Sequence, residues 1–199
     1  MRTNAKHSND DALLAQYIST FEKLDYLDTM EVSDALCIRS EEAIMKRWKS
    51  RHSITPPSTL STLYKELGLL GSGATRFPPL YEALILAYRW AEVDLDTYRL
   101  YANDFAKDFS PLSACMRRDK VLYATLVPNG YFPFGKGADV DYDPVCFDFR
   151  QRQNNGDCRI VKLDHEAILC YGDIGEITEL APNFRTLVQD TIRRADLIS

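Results

Sequence analysis

Three carboxylates alternate along Asp139-Val-Asp141-Tyr-Asp143, the densest acidic motif in the chain. Alternate aspartates open calcium-binding loops, but such a loop also needs glycine at its sixth position and glutamate at its twelfth. Here those positions are Pro144 and Arg150. On an extended segment the three carboxylates would share one side, where they could hold a cation weakly or meet the lysines and arginines of a partner. A second cluster, Asp164-His165-Glu166, resembles a fragment of an acid–base site. A hydrolase would also need a nucleophile or further metal ligands. Neither Gly-x-Ser-x-Gly nor His-Glu-x-x-His occurs. The run from Gly68 to Ala74 is glycine-rich but lacks the Gly-Lys-Ser/Thr of a phosphate loop, and it reads as a linker. These residues assemble no catalytic set. The expectation is a protein without enzymatic activity, cofactor or metal.

The five cysteines (Cys37, Cys115, Cys146, Cys158 and Cys170) are odd in number and widely spaced, with no Cys-x-x-Cys. That excludes the common zinc spacings and favours free thiols. The start, Met1 to Asp11, is polar and lacks the apolar stretch of a signal peptide. No apolar run approaches the roughly 20 residues of a membrane helix. A cytoplasmic protein with no membrane partner is expected. A pI near 5.3 argues against a general nucleic-acid binder.

The 199 residues suit one domain with an extension, and 45% hydrophobic content can supply its core. The net charge of −5 is unevenly placed. Residues 1–138 carry 17 bases and 17 acids, whereas residues 139–179 carry 10 acids and 4 bases. This local −6 is open to two readings: a solvated face serving solubility, or a surface that attracts a basic partner.

The elements around these motifs follow from periodicity. Residues 1–55 read as a helical extension of two helices, one carrying Leu14, Tyr17, Ile18 and Phe21, the other Leu36, Ile44, Met45 and Trp48. Pro56-Pro57 marks a boundary. Helices are then expected from Ser58, from Pro79, from Ser110 with Pro111 in its first turn, after Asp164, and from near Pro182. Strands are expected over Val93–Tyr101, Val121–Val127 and Tyr131–Phe134. A hairpin closed by Asn154-Asn155-Gly156 would place Phe149 opposite Val161, Phe147 opposite Leu163, and Asp148 opposite Lys162. Phe147, Phe149, Val161 and Leu163 are then core residues, and Cys146 and Cys158 lie too far apart to be bridged. Helices, then an antiparallel meander, then a helix make an α+β pattern.

Several further segments follow one another in a set order: Lys65-Glu-Leu-Gly68, Phe77-Pro-Pro-Leu-Tyr81, Pro128-Asn-Gly-Tyr-Phe-Pro-Phe-Gly135 and Tyr142-Asp-Pro-Val-Cys-Phe-Asp148. Gly156-Asp-Cys-Arg-Ile-Val161, Asp164-His-Glu166 and Glu179-Leu-Ala-Pro-Asn-Phe184 complete the set. This order resembles the SUKH superfamily, the Smi/Knr-like domain. The resemblance spans about Pro57 to Val188, so the expected organisation is an extension over 1–55 and a SUKH-like domain over 57–199. It implies a curved, mainly antiparallel sheet with packed helices. It also implies a binding role: many bacterial members are immunity proteins that block polymorphic toxins, often nucleases, and fungal members are regulatory scaffolds.

With the acidic segment, this points to an immunity protein that neutralises a basic cognate toxin by direct contact. A non-catalytic adaptor of the Smi/Knr type is the alternative. A metal-dependent enzyme built on Asp139, Asp141 and Asp143 is a third reading. The candidate partner-binding residues are Asp139, Asp141, Tyr142, Asp143, Glu166, Asp173 and Glu176, with Tyr142 as the aromatic anchor.

Overall fold

A computed structural model describes residues 3–24, 56, 58–69, 76–103 and 108–198. Within them the chain is an α+β fold built on one six-stranded sheet, curved and open, in which every neighbouring pair is antiparallel and spatial order follows chain order. The strands are β1 (Val93–Asp94), β2 (Tyr98–Leu100), β3 (Tyr131–Gly137), β4 (Pro144–Arg152), β5 (Cys158–Leu163) and β6 (Ile177–Ala181). The described helices are α1 (Thr3–Leu24), α2 (Ser58–Glu66), α3 (Pro79–Ala87), α4 (Ser110–Met116), α5 (Lys120–Leu126), α6 (His165–Tyr171) and α7 (Phe184–Ile198). None of these helices is long and apolar enough to cross a membrane.

Side-chain alternation along the strands gives the sheet two buried faces. Phe132, Phe134, Val145, Phe147, Cys158 and Ile160 point into the main core, where Tyr81 of α3 and Phe184 of α7 meet them. The rings pack closely, with Phe134 stacked on Phe147 at 4.2 Å and Tyr81 edge-on to Phe147 at 5.0 Å. The opposite face buries Tyr131, Cys146, Val161 and Leu163 under Leu126 of α5 and Ile168 of α6. Phe147, Val161 and Leu163 are fully buried as expected, and Phe149 packs against the main core while partly exposed.

Helix α1 falls in the segment read as an extension, and it contributes Leu14, Tyr17, Ile18, Phe21 and Leu24 to this same main core. It is tied to the sheet and to α7: the Tyr17 and Tyr98 hydroxyls are 2.6 Å apart, and Asp10 pairs with Arg185. The second expected helix, carrying Leu36, Ile44, Met45 and Trp48, lies outside the described residues, as does most of the Gly68–Ala74 linker.

The expected strand over Val93–Tyr101 splits into the β1–β2 hairpin, and β6 has no counterpart among the expected strands. Two further expectations are corrected. Val121–Val127 is not a strand but forms most of helix α5. Asp119 decides this locally, because its carboxylate accepts hydrogen bonds from the Val121 and Leu122 amides at 2.9 Å. The helix presents Leu122 and Leu126 to the sheet and leaves Val121 exposed. Pro128–Gly130 therefore turns a helix into β3 instead of closing a hairpin.

The second correction is the β4–β5 register. Near the loop, Arg152 pairs with Cys158, which matches the three-residue loop. Beyond it the register shifts, so that Phe147 faces Ile160, Cys146 faces Val161, and Val145 faces Lys162. Residues 148–151 on β4 oppose Arg159 alone, forming a wide bulge. Asp148 sits inside it, its carboxylate held by Arg150 and Arg159 rather than facing Lys162. Cys146 and Cys158 are both free and point to opposite faces.

Candidate functional site

Seven of the ten acids of residues 139–179 (Asp139, Asp141, Asp143, Asp164, Glu166, Asp173 and Glu176) gather at one end of the sheet, where the β3–β4 connection, α6 and the start of β6 meet. Residues Ala138 to Val140 turn rather than extend, with Asp139 at φ 51° and its amide donating to Asp94 Oδ2 at 3.0 Å. The turn closes when the Asp141 amide donates to the Ala138 carbonyl at 3.0 Å. The Asp141 side chain then lies over Gly137, where any Cβ would come within 2.1 Å of its Cγ. Glycine is needed there for that packing.

This turn separates the three aspartates. Asp139 is exposed. Asp141 accepts from Lys162 Nζ at 2.6 Å and from the Asp143 amide at 2.8 Å. Burial opposes ionisation of Asp141, but the bonds from Lys162 and the Asp143 amide outweigh it and hold its carboxyl below its ordinary pKa. Asp143 Oδ1 accepts from both the backbone amide and Nδ1 of His165, at 2.9 and 2.7 Å. The expected one-sided row of carboxylates is thus replaced by a turn that locks β4, β5 and α6 together.

Asp164 starts α6 as its N-cap, with Oδ1 accepting from the amides of Glu166 and Ala167 at 2.9 and 3.1 Å. Gly172 ends the helix in the left-handed region, at φ 70°. A further bond from the Asp164 amide to the Glu176 carbonyl, at 3.3 Å, aligns the start of β6. Among the described residues, the ligand atoms of Asp143, Asp164 and His165 are close enough to hold a metal ion, all within 4.8 Å. Asp143 Oδ1, His165 Nδ1 and Asp164 Oδ1 already carry the hydrogen bonds that build the corner. The thiols offer no ready nucleophile in the sheet: burial pushes Cys146 well up and Cys158 to about 12.

The seven predicted residues therefore divide. Asp141 and Asp143 serve the scaffold as much as the surface. Asp139, Glu166, Asp173 and Glu176 are exposed and form no ion pair among the described residues. Tyr142 is 58% exposed, with Lys136 Nζ 5.1 Å from its ring centroid and the His165 ring edge-on at 6.1 Å.

Sequence reasoning missed the apolar part of this surface. Val140 and Tyr171 are each 84% exposed, and Leu169 and Ile177 are exposed beside them in the chain. With Tyr142, these make five of the eight large exposed hydrophobics among the described residues, all within 139–179. The period of α6 carried the signal for Leu169, one residue on from buried Ile168, whereas Tyr171, three residues on, is exposed against that period as the last residue of the helix.

Also missed was a row of charges across the sheet face that carries Tyr131. Arg150 lies over the Tyr131 ring at 4.2 Å and bonds Asp148; Arg159 bonds Asp148 at 2.8 Å and reaches Glu179 at 3.6 Å. The i, i+2 spacing of Asp148 and Arg150 on one strand was its only trace in the sequence. No family model matches the chain, and no curated protein or solved structure is significantly similar to it.

Proposed function

We propose that this chain is a non-catalytic binding protein of the immunity type, which neutralises a basic cognate toxin by covering its working surface. One observation carries this reading: the segment with the local charge of −6 also presents Val140, Tyr142, Leu169, Tyr171 and Ile177 to solvent. Acids that serve solubility alone need no such company. Exposed apolar and aromatic side chains rimmed by charge are the composition of a protein interface.

The physical roles divide accordingly. Asp139, Glu166, Asp173 and Glu176 steer a basic partner to this end of the sheet and speed its association. Tyr142 and Tyr171 supply contact area once water is displaced. A nuclease is a suitable target, because the surface that receives phosphates is basic and an acidic protein can occupy it. The corner formed by Asp141, Lys162, Asp143 and His165 holds these groups in place before binding, which lowers the ordering cost.

The test is co-expression of the chain with the toxic polypeptide encoded beside it. Growth should be restored by the natural chain and lost when Tyr142→Ala and Tyr171→Ala are combined. Restoration by that double variant, with both proteins soluble, contradicts this surface as the binding site. A neighbouring gene without toxicity favours the adaptor role instead.

A further inference from the structure

Strand β6 ends the sheet, and no strand among the described residues pairs with its outer edge. In an antiparallel pair, residues alternate between those whose backbone groups bond the neighbour and those whose groups point away. The Asp164 amide donates to the Glu176 carbonyl, which makes 164 and 176 a bonded pair. Leu163 and Ile177 are therefore a non-bonded pair, as are Val161 and Glu179. The N–H and C=O groups of Ile177 and Glu179 point away from β5, and no hydrogen bond among the described residues reaches them from that side. Ile177, Thr178 and Glu179 are all exposed, so neither face of this stretch is covered. The opposite edge of the sheet differs: β1 has two residues, Val93 is fully buried, and α1 packs beside it.

Natural edges are protected by charged side chains, especially lysine, by proline, by bulges or by short length. Ile177-Thr178-Glu179 has no lysine or proline; its one charge is the acidic Glu179, and the register shift near Leu180 limits its length. The charge row ends here as well. It runs Arg150, Asp148, Arg159, Glu179, alternating in sign across β4, β5 and β6, and stops at a glutamate side chain that is 50% exposed. A following strand would continue the alternation with a basic residue opposite Glu179.

We infer that the β6 edge receives an extended segment of the partner as a seventh antiparallel strand, with a lysine or arginine placed opposite Glu179. This rests on the acidic-surface reading and gives it a binding mode: backbone bonds for affinity, and one charged position for register. A second copy fits poorly. Pairing β6 with its own symmetry mate about Thr178 would set Ile177 against Glu179 and leave each Glu179 without the base that continues the charge row.

The test uses the full chain at low salt and two ten-residue peptides in which lysine and threonine alternate. One has free amides; the other is N-methylated along its edge-facing side and keeps the same charge. The free peptide should slow hydrogen exchange of the Ile177 and Glu179 amides at least tenfold, and the methylated one should bind at least tenfold more weakly. Ile177→Pro removes one outward N–H without touching the β5 ladder, so it should keep its melting temperature and lose binding at least tenfold. Glu179→Lys should exchange preference from the lysine peptide to its glutamate counterpart. Equal binding of both lysine peptides, or full binding by Ile177→Pro, overturns strand addition and leaves the acidic surface standing. Binding of neither peptide at low salt overturns both readings. Self-association of the chain that Ile177→Pro abolishes assigns the edge to a second copy and overturns a foreign partner.

Discussion

Arg159 Nε donates to Asp148 Oδ2 at 2.8 Å across the β4–β5 bulge, where the Asp148 side chain is wholly buried. Arg150 adds bonds from its own amide and its guanidinium to the same carboxylate. Burial alone would raise the pKa of Asp148, but these bonds outweigh it and set the group below its ordinary value. A depressed folded pKa contributes stability above the unfolded value of about 4, and that contribution is lost as pH falls through the folded pKa. Asp148→Asn should therefore destabilise the protein at pH 7 by about 3 kcal/mol, the low end for breaking a buried pair, because both arginines keep solvent access. The variant should also lose part of the stability slope below pH 4. Urea unfolding at pH 7 and at acid pH measures both.

The main core contains a contrast between two tyrosines. Tyr17 shares its hydroxyl with Tyr98 at 2.6 Å, whereas the Tyr81 hydroxyl is buried with no hydrogen-bond partner among the described residues. Tyr17→Phe should cost about 1 kcal/mol. Tyr81→Phe should raise stability by about 1 kcal/mol, since it removes an unsatisfied polar group while keeping the ring contacts. Paired denaturation curves of the two variants check the opposite signs.

Two aspartates cap short helices in the same way, and only the one capped by Asp164 carries residues of the acidic surface. Asp119→Ala and Asp164→Ala should each destabilise by about 1 kcal/mol. Asp164→Ala should additionally weaken partner binding several-fold, because it loosens Glu166, Leu169 and Tyr171. A calorimetric titration of both variants separates the two effects.

Much of the fold was legible because strong local signals agreed with it. Pro79 and Pro111 sit in the first turns of α3 and α4, Asp164 starts α6, and Phe184, Leu187, Val188 and Ile192 are the buried stripe of α7. The failures have a common cause. Val121 to Val127 looked like a strand because β-branched and aromatic residues suit both states in a short apolar run, and the deciding group, Asp119, lies just outside it. The bulge at 148–151 depends on Arg159, eleven residues along the chain from Asp148. The candidate site was legible as charge but not as pairing. Which aspartates face solvent is set by Lys162 and His165, whose approach depends on the register that local patterning misplaced.

Residues placed in the scaffold should respond differently from those placed on the surface. Lys162→Ala removes the cation from Asp141 and Asp143, so it should destabilise the corner by about 1 kcal/mol, given that the groups are partly exposed. It should change the salt dependence of binding little. Thermal melts alongside binding at two ionic strengths test this separation.

The most direct measurement is the affinity of the purified chain for the purified polypeptide encoded beside it, followed across ionic strength. The natural chain should bind, with affinity falling steeply as salt rises. Combined Glu166→Lys, Asp173→Lys and Glu176→Lys should weaken binding at least a hundredfold at low salt, whereas Val121→Lys, on the exposed side of α5, should leave it unchanged. Undiminished binding by the triple reversal, with the fold intact by circular dichroism, would contradict the account.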